Sequence, residues 1–170
     1  MGSNPTLSAE VTRESGRERS LERLRNAVAE YVRTIDSLTP DAFLDATGGW
    51  SPRDVTAHLV GWLDVTIAAC EEIRAGRPPG YLDDARNDYA TVNAGFVRRF
   101  DATDRAAMVA RLRGALGELL TYARAVPPAE WDRDTGVRFE GGPVTVDNTI
   151  GELARDIKEH RRQLAEHGHP

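Results

Sequence analysis

The chain has 170 residues, 40% of them apolar, which suits one domain with a single sizeable core and leaves little room for a second. Acidic residues outnumber Lys and Arg by 27 to 22, giving a formal charge of -5 and a pI near 5.4, with the charges mixed along the chain; this speaks against a nucleic-acid partner. No apolar run approaches the roughly 20 residues that span a bilayer, and no secretion signal opens the chain, so a cytoplasmic protein without a membrane partner is expected.

Residues 1–16 are polar, carry Ser, Thr, Gly and Pro, and lack a periodic apolar face, predicting a disordered leader before a single domain over residues 17–170. From Glu18 the residues Leu21, Leu24, Val28, Tyr31 or Val32, Ile35 and Leu38 recur at helical spacing, and Pro40 limits that helix. The run Gly48-Gly49-Trp50-Ser51-Pro52-Arg53-Asp54 reads as a loop feeding a helix start, with Ser51 as N-cap, Pro52 at the first helical position and Asp54 placed for the exposed amides. That helix carries Val55, His58, Leu59, Trp62, Val65, Ala69 and Ile73 on one stripe until Gly76-Arg77-Pro78-Pro79-Gly80 ends it, so His58 faces the core side.

Residues 83–100 are less regular, with Tyr89, Val92, Phe96 and Phe100 at helical spacing, and Met108, Leu112, Leu116, Leu119 and Ala123 mark a further helix that Pro127-Pro128 stops. Val137 to Phe139 and Val144 to Val146 alternate around Gly141-Gly142, predicting a short two-stranded ribbon, with a long irregular loop as the alternative. Thr149 with Glu152 three residues later has the form of a capping box, and Ile150, Leu153, Ile157, His160 and Leu164 form the last stripe. Four main stripes predict an all-α four-helix bundle.

The lone Cys70 excludes an internal disulfide and a thiolate metal cluster, so a metal would need His and carboxylate ligands from a chain with four histidines. Asp156 and His160 are four residues apart, on one helix face, and both side chains can reach one ion. His58 on a facing helix would complete a set of two imidazoles and a carboxylate, leaving open positions on Zn, Fe or Ni. Against this stand an ordinary i, i+4 ion pair and a hydrogen-bonded core histidine.

Two segments, Trp50-Ser-Pro-Arg-Asp-Val-Thr-Ala-His58-Leu-Val-Gly-Trp62 and Ile150-Gly-Glu-Leu-Ala-Arg-Asp156-Ile-Lys-Glu-His160-Arg-Arg-Gln-Leu164, resemble the DinB-like, YfiT-type four-helix bundle superfamily. Its mycothiol-dependent maleylpyruvate isomerase-like and ClbS-like branches share the Trp-x-x-x-Asp-x-x-x-His-Leu element. The resemblance implies an up-up-down-down bundle over about residues 18–166, often with a metal held by one His of the second helix and an H-x-x-x-H pair of the last. His58 and His160 match those positions, while Asp156 stands where the first His of the pair would be. The implied chemistry is metal-assisted or His-assisted attack of water or a thiol such as mycothiol on an electrophilic small molecule, in detoxification or self-resistance. The cofactor set stays open between a divalent metal (Zn or Ni), a thiol, and no metal at all.

Trp62 lies one turn beyond His58 and could wall a substrate pocket, though the role of a core aromatic is favoured for it; Tyr89, Asn93 and Arg86 could add polar groups to that pocket, and a solvated face explains them equally. Cys70 reads as a small buried thiol, and His167 and His169 as parts of a frayed terminus. The competing functions are a non-catalytic bundle that binds or sequesters a small molecule, and an interaction domain that forms a homodimer through an exposed helix face.

Overall fold

The computed structural model describes residues 5–46, 49–85 and 89–167. Four long helices carry the fold: α1 (Pro5–Asp36), α3 (Pro52–Arg74), α6 (Arg105–Ala125) and α8 (Val146–His167). Between them lie the short helices α2 (Pro40–Leu44), α4 (Gly80–Ala85), α5 (Tyr89–Arg99) and α7 (Pro128–Trp131), and a ribbon of β1 (Arg138–Phe139) and β2 (Gly142–Pro143). Among the described residues no helix is long and apolar enough to cross a membrane.

The predicted stripes are the buried faces of these helices. Leu21, Leu24, Tyr31 and Ile35 of α1 meet Leu59 and Leu63 of α3, Met108, Leu112 and Leu119 of α6, and Ile150 and Ile157 of α8 in one continuous core. Polar links give the directions. Arg17, near the start of α1, donates to the Val126 carbonyl just past α6 at 2.7 Å, and Arg105 at the start of α6 donates to the Leu38 carbonyl just past α1, so these two helices are antiparallel. Ser20 donates to Asp147 at 2.6 Å and Arg161 pairs with Glu30, so α1 and α8 are parallel. Arg74 and Tyr122 meet near the ends of α3 and α6, which run together, and His58 early in α3 meets Asp156 late in α8. In chain order α1, α3, α6 and α8 therefore run up, down, down and up, which corrects the expected up-up-down-down order: the first and last helices lie side by side and parallel.

Three further expectations are corrected. The helix α1 begins at Pro5, so residues 5–16 are helical rather than a disordered leader; residues 1–4 lie outside the described residues. Thr12 to Ser15 are exposed, which explains why no apolar period announces this turn: the helix extends past the packed part of α1. The capping box of α8 is Thr145 with Asn148, one turn before the expected Thr149 and Glu152. The Thr145 amide donates to Asn148 Oδ1 at 2.8 Å and the Asn148 amide to Thr145 Oγ1 at 3.2 Å, while the Thr149 hydroxyl donates back to the Thr145 carbonyl inside the helix. Val146 therefore starts α8 and is not part of the ribbon, which pairs Arg138 with Pro143 and Phe139 with Gly142. Glu140 and Gly141 join its strands with φ of 48° and 82°, the left-handed pair that a tight primed turn needs. His167 closes α8, and His169 lies outside the described residues.

The cap expected before α3 is present in full. Ser51 Oγ accepts from the Asp54 amide at 3.1 Å, and Asp54 Oδ2 accepts from the Ser51 amide at 3.1 Å. At the other end Gly76 takes φ of 73°, and its amide bonds the Ile73 carbonyl.

Candidate functional site

The capping box fixes the start of α3, so the residues two turns further in have a set direction, and His58 points inward with 5% of its surface exposed. Asp156 and His160 reach it from α8. His58 Nε2 lies 3.4 Å from Asp156 Oδ2 and 3.2 Å from His160 Nε2, and His160 Nε2 lies 3.6 Å from Asp156 Oδ1. The three residues that the sequence put forward are thus brought together from helices about 100 positions apart.

Neighbouring side chains decide which atoms of this cluster carry protons. Trp62 Nε1 can only donate, and it does so to Asn93 Oδ1 at 3.1 Å, which makes that atom the amide oxygen. The same oxygen lies 3.1 Å from His58 Nδ1, so Nδ1 carries the hydrogen of the neutral ring and Nε2 keeps its lone pair. On α8 the Gln163 amide nitrogen donates to Glu159, which turns its oxygen to His160 Nδ1 at 3.1 Å. His160 Nε2 is then also a lone pair. Two imidazole lone pairs and a carboxylate converge without a proton among them.

That arrangement asks for a cation or a shared proton. Burial draws His160 below the ordinary histidine value, Asp156 pulls it up, and His58 adds to the lowering, so burial sets itself against a proton there. One ligand atom from each of the three residues lies within 4.8 Å of the others, a group that could hold a metal ion. Tetrahedral bonds of about 2.0–2.1 Å put neighbouring donors about 3.4 Å apart, close to the separations of 3.2, 3.4 and 3.6 Å seen here. The donor set therefore fits a divalent ion of the Zn or Ni type, with the carboxylate of Asp156 as the third donor.

The cluster lies at a cavity of about 710 Å³ between α3, α5, α8 and the ribbon, with His58 and Asp156 in its wall. Trp62, Tyr89 and Asn93, expected to wall a substrate pocket, all line it; Arg86 lies outside the described residues. The Trp62 ring stands 5.4 Å from Tyr81 and 6.1 Å from Tyr89, and Trp50, half exposed before the cap, lies 5.2 Å from the His58 ring. Tyr81, Gln163 and the ribbon residues Phe139 and Glu140 were not singled out from the sequence. Tyr81 follows a Pro-Pro-Gly loop and the ribbon carries no polar motif, so neither left a local signal.

Gly61 explains how α5 comes close enough to deliver Asn93. The Phe96 ring of α5 occupies the space where a Cβ on Gly61 would stand, and Asn93 is one turn earlier on α5, beside His58. Cys70 is fully buried and burial pushes its thiol up to about 12, which leaves it a packed side chain and no nucleophile at neutral pH.

None of the curated proteins compared matches the chain. Among solved structures, the crystal structure of colibactin self-resistance protein ClbS in complex with a dsDNA is similar, with a TM-score of 0.68 over 88% of this chain and 94% of that chain. At 16% identity that likeness is one of fold. The sequence profile of the DinB superfamily matches residues 20–164, which include all three residues of the cluster, and the chain belongs to that superfamily.

Proposed function

We propose that this protein is an enzyme of detoxification or self-resistance that promotes attack of water or a low-molecular-weight thiol on an electrophilic small molecule held in the cavity. The observation that carries the reading is the convergence of His58 Nε2, His160 Nε2 and the Asp156 carboxylate, protons turned away, at a cavity sized for a small molecule. That ClbS, a colibactin self-resistance protein, shares the fold agrees with it. His58, Asp156 and His160 are the residues that would hold a divalent metal. When bound there, Zn or Ni supplies a Lewis acid that makes water or a thiol such as mycothiol nucleophilic at neutral pH.

The chain itself does the rest. Asn93 and Gln163 hold the two imidazoles in one tautomer and one orientation, as outer partners of ligating histidines do. His58 Nε2, with Asp156 beside it to stabilise the imidazolium, can accept a proton from the nucleophile when no metal occupies the cluster. Trp62 and Tyr89 give the electrophile an apolar wall that limits competing water.

The test is metal analysis of protein purified without a nickel column, together with turnover of a panel of electrophiles with and without thiols. One metal per chain that is lost in His58→Ala and His160→Ala, with turnover lost alongside, is the expected result. Metal content below stoichiometry and unchanged in both variants removes the metal from the reading. Undiminished turnover in both variants removes the histidines, and tight binding of an intact electrophile without turnover makes the protein a sequestering bundle.

A further inference from the structure

Among the described residues the wall of the cavity has a one-sided charge. Besides Asp156 it carries Glu140 at the turn of the ribbon and Glu152 on α8, and none of its described lining residues is Lys or Arg. Glu152 is paired from outside by Arg155, whereas no cation among the described residues pairs with Glu140. The remaining wall is aromatic: Trp62, Tyr81, Tyr89 and Phe139, of which Tyr89 and Phe139 are exposed by 38% and 42% at the mouth. Glu140 and Tyr89 face each other across that mouth closely enough for the carboxylate, after burial, to push the Tyr89 phenol up. Burial raises Tyr81 to about 12, so both phenols are neutral at physiological pH and offer ring faces rather than charge.

Resting on the reading that this cavity takes a small molecule, we infer that its ligand is an aromatic or alkyl body bearing an organic cation, such as an ammonium, and that anionic molecules are excluded. Aromatic faces attract a cation through their quadrupole, and a carboxylate beside them adds a direct attraction. The ammonium sits at the mouth between Tyr89, Phe139 and Glu140, while the apolar body reaches inward along Trp62 toward His58. A carboxylate or sulfonate at the mouth would meet Glu140 with no Lys or Arg among the described lining residues to balance it. Among thiol co-substrates, the same charge favours a neutral one over one bearing free carboxylates.

Three probes of one shape and different charge test this: 2-naphthylmethylammonium, 2-naphthylmethanol and 2-naphthoate, titrated into the full chain and followed by shifts of the Gly61, Asn93 and Thr149 amide resonances. The ammonium is expected to bind at least tenfold more tightly than the carboxylate, with a ratio that shrinks as salt is added. Glu140→Gln, at an exposed turn position, lowers affinity for the ammonium by about two- to fivefold and leaves the alcohol unchanged. Tyr89→Leu, which keeps apolar area but removes the ring face, has an effect of similar size on the ammonium alone. Equal affinity for the three probes, or tighter binding of the carboxylate, overturns the inference and leaves the cavity reading standing. No shift with any probe overturns both.

Discussion

Asn93 shows how much one side chain decides at this site. Its single oxygen receives hydrogens from Trp62 and His58, and that sharing leaves His58 Nε2 free for the cluster. Asn93→Leu strands both donors, so stability in urea is expected to fall by about 1–3 kcal/mol and Zn affinity by roughly 10–100-fold. Asn93→Asp, which keeps an acceptor there, should hold the His58 ring nitrogens at their native NMR shifts; if Asn93→Leu leaves those shifts unchanged too, the positioning role is wrong. His160 has a second consequence at this scale. Because burial lowers it from the ordinary histidine value of 6.5, the folded protein binds fewer protons than the unfolded chain between those two values. The stability it contributes is complete above about pH 6.5 and is lost as the pH falls through the lowered folded value. Urea midpoints measured from pH 8 to pH 5 should fall on acidification in the native protein and less steeply in His160→Gln.

At the scale of elements, the contact between α3 and α5 is the one on which the site turns. Gly61 is a helix-interior glycine, which ordinarily costs stability, and its place is explained by the Phe96 ring seated on it. Gly61→Ala is expected to cost about 1–3 kcal/mol through overpacking and to move α5, so that Asn93 loses His58. A second change, Phe96→Leu, should recover part of the stability and part of the metal binding; no recovery would mean that α5 does not position the site. Asp147 plays a comparable part at the other end, where one carboxylate oxygen accepts from Ser20 of α1 and Trp131 of α7. That oxygen ties three elements at the start of α8, the helix that carries Asp156 and His160.

For the molecule as a whole, the cluster joins α3 to α8, and α8 in turn packs along α1, so occupancy of the cluster is linked to folding. A ligand of the folded state present at 100 times its Kd adds about 2.7 kcal/mol. For a chain of this size that corresponds to a rise in Tm of roughly 5–10 °C. Calorimetry with added Zn should show such a rise in the native protein and none in His58→Ala, and an equal rise in both would place the ion elsewhere.

What the sequence determined by itself is whatever depends on short-range spacing. The four long stripes, the Ser51 and Asp54 cap, the Gly76 stop, and the pairing of Asp156 with His160 on one face all follow from helical period and end chemistry, which act over a few residues. The same local logic misplaced the cap of α8, because Thr145 with Asn148 and Thr149 with Glu152 repeat one signal a turn apart and only packing selects the first. It also missed the start of α1, where Thr12 to Ser15 are exposed and leave no apolar period. The meeting of His58 with α8 was named through family resemblance, since no spacing within the chain measures a distance between residues 58 and 156. Tertiary structure alone decided the tautomers of the two histidines, the approach of α5 over Gly61, and the acidic, aromatic wall of the cavity. Each of these depends on side chains from separate elements whose mutual position is set by the packing of the core and is written in no single segment.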